Sequence, residues 1–212
     1  WASDLNMTLT NKYDESKYRF ENKPGYEIIK RFIDIIASIA FVIILSPLFV
    51  VIIIILKAVY KESVFYLQER VGRGGITFWL YKFRTMRLDA EKADPVWAKP
   101  DDERCTNIGK ILRKTSIDEL PQLFNVIKGE LSLVGPRPER PFFMKDHIGL
   151  TGKRLLVKPG LTGLAQVNGR YKLTIEDKLK FDLEYIHNRS LYLDFKIIIK
   201  TVPVILSCDG AW

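Results

Sequence analysis

The longest uncharged run of the chain extends from Ile35 to Leu56 and contains 22 residues. As an α-helix this run would be about 33 Å long, which is sufficient for a bilayer core of about 30 Å. Three structures agree with it: a spanning helix, a buried core helix, and a helix that enters the membrane and returns. Ser46 and Pro47 stand at its middle, and because proline removes a backbone donor, the sequence predicts a kink there.

The charges on either side of this run bear on the choice between the three structures. Lys30 and Arg31 precede it, and Lys57 and Lys61 follow it. Lys and Arg accumulate on the cytoplasmic flanks of membrane segments. A broken helix with both ends on one face satisfies this pattern, whereas a straight span leaves one basic flank outside. The charge pattern therefore favours the re-entrant helix, with the spanning and buried helices as alternatives.

Beyond this run, shorter patterns predict the remaining elements. Two β-prone stretches on either side of Gly72, Gly74 and Gly75 predict a hairpin. A helical pattern follows from residue 107 and ends at Gly129. The stretches "SLVGPRPERPFF" and "VKPGLTGLAQVNGR" are rich in Pro and Gly, so we expect two loops that carry arginines.

Two further helices are predicted near the end of the chain. Apolar residues recur at helical spacing over residues 174–187, with Thr174 as the predicted N-cap. The segment "LYLDFKIIIKTVPVILS" is apolar with interspersed lysines and is too short and too interrupted to span a membrane. It agrees equally well with a core helix and with a helix that lies in the membrane interface.

Composition narrows the class of partner. The 212 residues include 33 Lys and Arg against 25 Asp and Glu, a formal charge of +8, which indicates an anionic partner: nucleic acid, a phosphorylated small molecule or an acidic membrane. The aromatic residues lie in apolar runs and are not interleaved on a basic face, so we expect no nucleic-acid partner. Two distant cysteines, Cys105 and Cys208, predict neither a disulfide framework nor a zinc cluster.

An acidic pair, Asp118 and Glu119, follows a basic stretch and has two interpretations. Ser116 and Glu119 match a capping box, and Asp118 could itself be a helix N-cap. Alternatively, the pair could face Arg113 and the two arginine-bearing loops. A carboxylate in such surroundings can hold Mg²⁺ on a phosphate or attack phosphorus itself. The residues permit a phosphoryl-transfer site without excluding a cap.

The sequence around this pair strongly resembles the bacterial sugar transferases that are monotopic polyprenyl-phosphate phosphoglycosyl transferases, also called undecaprenyl-phosphate sugar phosphotransferases. The resemblance covers roughly residues 26–212. The stretches that carry it are "RKTSIDELPQLFNVIKGELSLVGPRPERP", "KRFIDIIASIAFVIILSPLF", "QERVGRGGITFWLYKFRTM", "KPGLTGLAQVNGR" and the ending "GAW".

The resemblance implies an activity and its partners. A sugar 1-phosphate would move from a uridine-diphosphate (UDP) sugar to membrane polyprenyl phosphate, with Mg²⁺, releasing UMP, as the initiating step of surface glycan assembly. Membrane lipid would be a further partner, and the location would be the cytoplasmic face of the bacterial inner membrane. A non-catalytic basic membrane scaffold and a nucleic-acid-binding protein are the rival classes.

The resemblance also implies roles for individual residues. Asp118 would be the nucleophile that forms a covalent phosphosugar intermediate, and Glu119 would hold Mg²⁺ together with it. Arg113 would bind substrate phosphate. The predicted nucleotide site comprises Pro136, Arg137, Pro138 and Arg170, and the predicted break of the membrane helix is Ser46 and Pro47.

Two basic residues of "YKFRTM" have open roles. Lys82 and Arg84 are candidates for contact with membrane lipid or with the acceptor phosphate, and ordinary headgroup anchoring is an equal alternative.

Together these arguments predict an α+β fold: a small mixed domain with a re-entrant membrane helix hairpin and interfacial amphipathic helices. We expect a polar N-terminal tail over residues 1–24, the re-entrant helix with its flanks over 25–62, and a cytosolic catalytic domain over 63–212.

Overall fold

The computed structural model describes residues 18–60, 63–90, 96, 102–169 and 172–207. Most of the predicted N-terminal tail, Lys61, Arg170, Cys208 and the final "GAW" lie outside these ranges. The helices are α1 (Pro24–Ile44), α2 (Ser46–Val59), α3 (Asn107–Lys114), α4 (Gln122–Lys128), α5 (Pro141–Asp146), α6 (Leu164–Val167), α7 (Ile175–Asn188) and α8 (Leu191–Leu206). The strands are β1 (Phe65–Val71), β2 (Thr77–Phe83), β3 (Ser132–Val134) and β4 (Gly160–Thr162). This mixture agrees with the predicted α+β class.

The long apolar run is broken where Ser46 and Pro47 predict a kink. Pro47 has no N–H for the carbonyl of Ile43, four residues earlier. The hydroxyl of Ser46 donates to that carbonyl at 2.8 Å. The Ser-Pro pair therefore interrupts the helix while keeping the freed carbonyl bonded, and one residue, Leu45, separates α1 from α2.

The two helices on either side of this break are strongly bent. Among the described residues, no single helix is both long and apolar enough to cross a bilayer, whereas α1 and α2 meet that test as a pair bent by 61°.

The predicted hairpin is confirmed. Strands β1 and β2 pair antiparallel from Phe65 opposite Phe83 to Val71 opposite Thr77. Between them, Gly74 and Gly75 have φ of 70° and 81°, a left-handed conformation that residues with a Cβ rarely adopt. The glycines therefore serve the turn.

The two predicted Pro/Gly loops contain more regular structure than expected. Strand β3 begins the first and pairs in parallel with β4, which lies in the second. Each stretch also contains a short helix, α5 or α6. The close approach needs glycine, because a Cβ on Gly160 would lie 2.0 Å from the amide nitrogen of Gly135.

The helical pattern that ends at Gly129 is two helices rather than one. Helix α3 ends before Ser116, which has φ of 57°, and Ile117–Glu119 forms a 3₁₀ turn before α4 begins. Gly129 ends α4 with φ of 92°, as predicted. Arg31 of α1 donates to the last carbonyls of α4, Val126 O at 2.6 Å and Ile127 O at 2.8 Å.

The last two helices settle one prediction and refine another. Thr174 caps α7 by accepting from the amide of Asp177, as predicted. On α8 the segment is partly docked, with Asp194 and Ile197 buried. Its exposed apolar side chains include Tyr192, Phe195, Ile199, Val202 and Leu206, and Lys196 and Lys200 are exposed among them. Helix α8 is therefore not a core helix on all sides.

Two clusters of buried side chains form the core and meet near β2. The larger joins β2, α4, β3, α7 and α8, and the smaller joins α2, the end of β2 and α3. Phe83 belongs to the second cluster, and Leu80 on the same strand belongs to the first. The turn that carries Asp118 and Glu119 packs on the second cluster through Ile117 and Leu120.

Candidate active site

The acidic pair lies on the 3₁₀ turn between α3 and α4, and neither capping interpretation is correct. Ser116 makes no side-chain cap hydrogen bond, and the N-cap position of α4 is Pro121. Ser116 is the one non-glycine residue of the described ranges with positive φ. Such a conformation costs about 1–2 kcal/mol. The left-handed residue reverses the chain after α3 and turns Asp118 inward.

Glu119 is held by two cations from different parts of the chain. Lys82 of β2 donates to Oε1 at 2.9 Å. Arg137 donates to Oε1 through Nη2 and to Oε2 through Nη1, the latter at 3.3 Å. Burial opposes ionisation of Glu119, but the charges of Arg137 and Lys82 outweigh it and hold its pKa well below the usual range. Glu119 is therefore a permanent carboxylate.

Asp118 has a different environment from its neighbour. It is 6% exposed, and the described residues make no hydrogen bond or ion pair to its carboxylate. Burial raises its pKa to about 6, the charge of Glu119 acts in the same direction, and Lys82 opposes them. An Asp with these properties is ionised near neutral pH and has no direct bond to a cation among the described residues, so its carboxylate oxygens are available for nucleophilic attack.

Both carboxylates face a cavity of about 490 Å³. Cations dominate its lining among the described residues: nine Lys and Arg side chains against three carboxylates. The cations are Arg70, Lys82, Arg84, Arg87, Arg104, Arg113, Arg137, Arg140 and Lys178, and the carboxylates are Asp118, Glu119 and Glu139. A concave surface with this excess of positive charge favours a polyanionic ligand.

Arg113 reaches the cavity from α3 and is held in place on its other side. Its Nε donates to Thr85 Oγ1 at 3.1 Å and its Nη1 to Cys105 Sγ at 3.2 Å. Helix α3 can approach Thr85 closely because Gly109 has no Cβ. A Cβ at that position would lie 1.9 Å from the Thr85 carbonyl oxygen. The guanidinium of Arg113 is thus positioned beside Asp118 without neutralising it through a direct bond.

The segment from Pro136 to Glu139 carries Arg137 into the site and is fixed at every residue. Its four consecutive carbonyls each accept a hydrogen bond from another part of the fold. The donors, in chain order of the acceptors, are Gly160 N at 2.9 Å, Arg154 Nη2 at 2.9 Å, Arg70 Nη1 at 2.7 Å and Val71 N at 3.0 Å. This arrangement restricts Arg137 to a narrow range of positions.

Arg154 is the part of this support that the sequence interpretation missed. It is 5% exposed and pairs through Nε with Asp182 Oδ2 at 2.7 Å. A signal was present, because Asp182 lies seven residues after Ile175 and three after Leu179, on the apolar side of the predicted helix. A charge at a core position indicates a buried partner.

The structure brings most of the predicted site residues together. Asp118, Glu119, Arg113, Lys82, Arg84 and Arg137 all line the cavity. Arg84 is half-buried and donates to the carbonyl of Ser63 at 2.8 Å. Pro136 and Pro138 do not line the cavity and lie behind Arg137, and Arg170 is outside the described residues.

The sequence is similar to a known family and to characterised proteins. The family described as bacterial sugar transferase matches residues 25–208. The UDP-N-acetylgalactosamine-undecaprenyl-phosphate N-acetylgalactosaminephosphotransferase of Aeromonas hydrophila is 41% identical over 202 residues, 89% of this chain and 46% of that protein. The undecaprenyl-phosphate galactose phosphotransferase of Salmonella typhimurium is 39% identical over 229 residues, 99% and 48%. The chain thus spans about half the length of these two relatives.

A shorter relative matches nearly end to end. The exopolysaccharide production protein ExoY of Rhizobium meliloti is 38% identical over 212 residues, which is 90% of this chain and 91% of that protein.

Proposed function

The chain belongs to the bacterial sugar transferase family, and from that premise we propose that it transfers a sugar 1-phosphate from a UDP-sugar to polyprenyl phosphate and releases UMP. The observation that carries the proposal is the buried, unpaired Asp118 in a cavity lined by nine cations. A UDP-sugar and a polyprenyl phosphate are both anions, as the cationic cavity requires. The names of two relatives include undecaprenyl phosphate, and one of them also includes a UDP-sugar. The step would initiate assembly of a surface glycan.

The proposed first half of the reaction uses Asp118 as the nucleophile. A carboxylate oxygen attacks the phosphorus that carries the sugar, and the bond from that phosphorus to the bridging oxygen breaks. UMP leaves with this oxygen and with the electron pair, and the sugar phosphate stays on Asp118. In the second half an oxygen of polyprenyl phosphate attacks the same phosphorus and displaces the Asp118 carboxylate. The covalent intermediate divides one difficult transfer into two easier steps.

The surrounding cations assist both halves. Lys82 and Arg137 lie within hydrogen-bond distance of Glu119, so they remain close to the phosphoryl group beside Asp118. Arg113 supplies a third positive charge from α3. Fixed cations that face the transferring group stabilise charge in the transition state without reorganising.

The family resemblance implies Mg²⁺, and the donor chemistry of the acidic pair fits it. Mg²⁺ is commonly held by one or two carboxylates together with substrate phosphates and water. The described residues contain no group of three or more His, Cys, Asp or Glu that could hold a metal alone. Asp118 and Glu119 would hold it, and when bound it would neutralise phosphate oxygens.

We further propose that α1 and α2 form a re-entrant membrane segment. Large apolar side chains are exposed along both helices, beyond what a soluble surface usually presents, for example Ile28, Phe32 and Ile54. The polar side of α1 is docked on the domain: Lys30 pairs with Asp194 at 2.8 Å and Asp34 accepts from the amide of Leu133. Because Lys30 is bound within the protein, the bend and the exposed apolar face support the proposal more than the flanking charges do.

Topology can be tested by cysteine labelling in intact cells. Single cysteines near the start of α1 and near the end of α2 should both be protected from an impermeant outer reagent. Labelling at only one end would mean a span. Replacing Ser46 and Pro47 by Leu and Ala restores the backbone bond and should move the segment toward a span.

The activity is tested by UMP release from a panel of UDP-sugars in the presence of polyprenyl phosphate. We expect release with at least one sugar and, with a labelled donor and no acceptor, label on Asp118 alone. A protein that binds membranes or nucleic acid but releases no UMP with any sugar would be the non-catalytic scaffold or the nucleic-acid-binding protein.

A further inference from the structure

Helices α1 and α8 contact each other near their N-terminal ends, and the C-terminal parts of both helices line the same cavity. At this contact, Asp194 of α8 accepts hydrogen bonds from Tyr26 and Lys30 of α1, both at 2.8 Å. Phe41 of α1 and Ile205 of α8 each lie eleven residues, or about 16 Å of helix, beyond the ion-paired residue of their helix. Both line the cavity. The two helices therefore run in the same direction and have the cavity between their C-terminal ends.

The wall of the cavity between these helix ends is apolar. Its lining residues, which we call the lipid gap, are Phe41, Leu45, Leu133, Leu161, Val202 and Ile205. Leu133 follows the first residue of β3 and Leu161 lies at the middle of β4, and these strands pair beneath the two helices. Phe41 is 47% exposed and Val202 is 55% exposed, so the gap is open at its outer side.

The same cavity is cationic where Lys82, Arg113 and Arg137 line it beside Asp118 and Glu119. One continuous space thus combines an apolar end, bordered by the helices whose outer faces are exposed and apolar, with a cationic end that contains the reactive carboxylate. An amphiphile with an anionic head and a long hydrocarbon chain matches both ends, whereas a UDP-sugar has no chain to fill the apolar end.

We propose that the lipid gap holds the isoprenoid chain of the acceptor and directs its phosphate toward Asp118. The proposal rests on the proposed function and adds the location of the acceptor. The chain enters from the bilayer between the C-terminal ends of α1 and α8. The donor occupies the remaining polar part of the cavity, and the acceptor phosphate approaches the phosphorus on Asp118 after UMP has left.

The test compares two substitutions on one helix. Val202→Trp places a large ring in the gap, and Ile199→Trp places the same ring three residues away on the exposed face of α8. Ile199 is 54% exposed, close to the 55% of Val202, but it does not line the cavity. We expect Val202→Trp to raise the KM for polyprenyl phosphate about tenfold or more and Ile199→Trp to leave it within about twofold. Formation of the labelled Asp118 intermediate without acceptor should be unchanged in both.

A binding measurement keeps this test independent of turnover. A polyprenyl phosphate with a photoreactive diazirine in its chain should label peptides that contain Phe41 or Val202. Unlabelled polyprenyl phosphate should suppress the labelling, and phosphatidylglycerol at the same concentration should not.

Each other outcome has a defined meaning. If the protein releases UMP but the photoreactive chain labels only peptides outside the lipid gap, the gap is not the acceptor site and the proposed function stands. Equal KM values for the two Trp variants would have the same meaning. Suppression by phosphatidylglycerol to the same extent would make the gap a general lipid contact and overturn it as an acceptor site. Labelling in the gap without UMP release from any UDP-sugar would support the gap and count against the proposed function.

Discussion

Two buried aspartates, Asp118 and Asp182, lie in regions of opposite character. Asp182 is 1% exposed and its charge is met by Arg154 at 2.7 Å. Asp118 is 6% exposed, lines the cavity, and accepts no hydrogen bond from the described residues. A buried carboxylate without a partner costs stability, whereas a paired one holds its neighbours in place.

The difference between these regions indicates a division of work. The pair of Arg154 and Asp182 fixes the backbone at Arg137, whose side chain then bonds Glu119. In the region around Asp118, the carboxylate oxygens stay available to bind a ligand. Four substitutions test this division, and they are given from the largest expected effect to the smallest.

Asp118→Asn should abolish turnover while leaving the protein folded. An amide cannot act as the nucleophile, so we expect UMP release to fall by about three orders of magnitude or more. The substitution keeps the shape of the side chain and removes an unpaired buried charge, so the free energy of unfolding at pH 7 should not decrease. UMP release and chemical denaturation measure the two effects. A folded variant with near-normal turnover would exclude Asp118 as the nucleophile.

Asp182→Asn should have the opposite profile. Removing one partner of a buried ion pair leaves the other charge uncompensated and costs about 3–5 kcal/mol of stability. We expect a large loss in the free energy of unfolding by denaturation. Activity per folded molecule should fall far less than in Asp118→Asn. Equal stability of the two variants would contradict the distinction between the two regions.

Arg137→Ala tests the connection between the regions. Charge-assisted hydrogen bonds contribute about 1.5–3 kcal/mol each, so kcat/KM for the UDP-sugar should fall about 10- to 100-fold. Arg73→Ala is the control, since Arg73 is exposed, pairs with Glu27 and does not line the cavity. If both variants have the same kinetics, the segment from Pro136 to Glu139 does not contribute to the site.

We expect Arg170→Ala to weaken nucleotide-sugar use as well.

Glu119→Gln should shift the pH dependence. Burial and the charge of Glu119 raise the pKa of Asp118 to about 6, so formation of the intermediate in the wild type should rise as pH increases through about 6. Removing the negative charge of Glu119 lowers the pKa of Asp118, so the rise in intermediate formation should move to lower pH. Activity should also fall, with a greater demand for Mg²⁺. An unshifted rise would mean that a different group titrates there.

The same pKa has a consequence for stability with a defined sign. Because folding raises the pKa of Asp118 from 3.8 to about 6, the folded state favours the protonated form. This contribution to stability is fully present below pH 3.8 and is lost as pH rises through about 6. In Asp118→Asn this part of the pH dependence of unfolding should be absent.

Local chemistry in the sequence determined the elements whose cause is local. The Ser46-Pro47 break follows from a missing backbone donor, the β1–β2 hairpin from glycines that tolerate positive φ, and the end of α4 from Gly129. Thr174 caps α7 because a short side chain with an oxygen can accept from the first turn. The acidic pair and its basic neighbours were also visible, as nearby residues in one stretch of sequence.

Tertiary structure decided the role of each charge. In sequence, Ser116 and Glu119 match a capping box and Asp118 matches an N-cap. The folded chain excludes both, because Ser116 makes no side-chain cap hydrogen bond and Pro121 is the N-cap residue of α4. Strand β2 places Lys82 in the site. Lys30 instead forms an ion pair with Asp194, 164 residues away. The position of Asp182 indicated a buried partner, but Arg154 could not be identified as that partner because residues 28 apart are joined by packing, not by local periodicity. A charge acquires its function from what surrounds it, and those surroundings exist only in the folded chain.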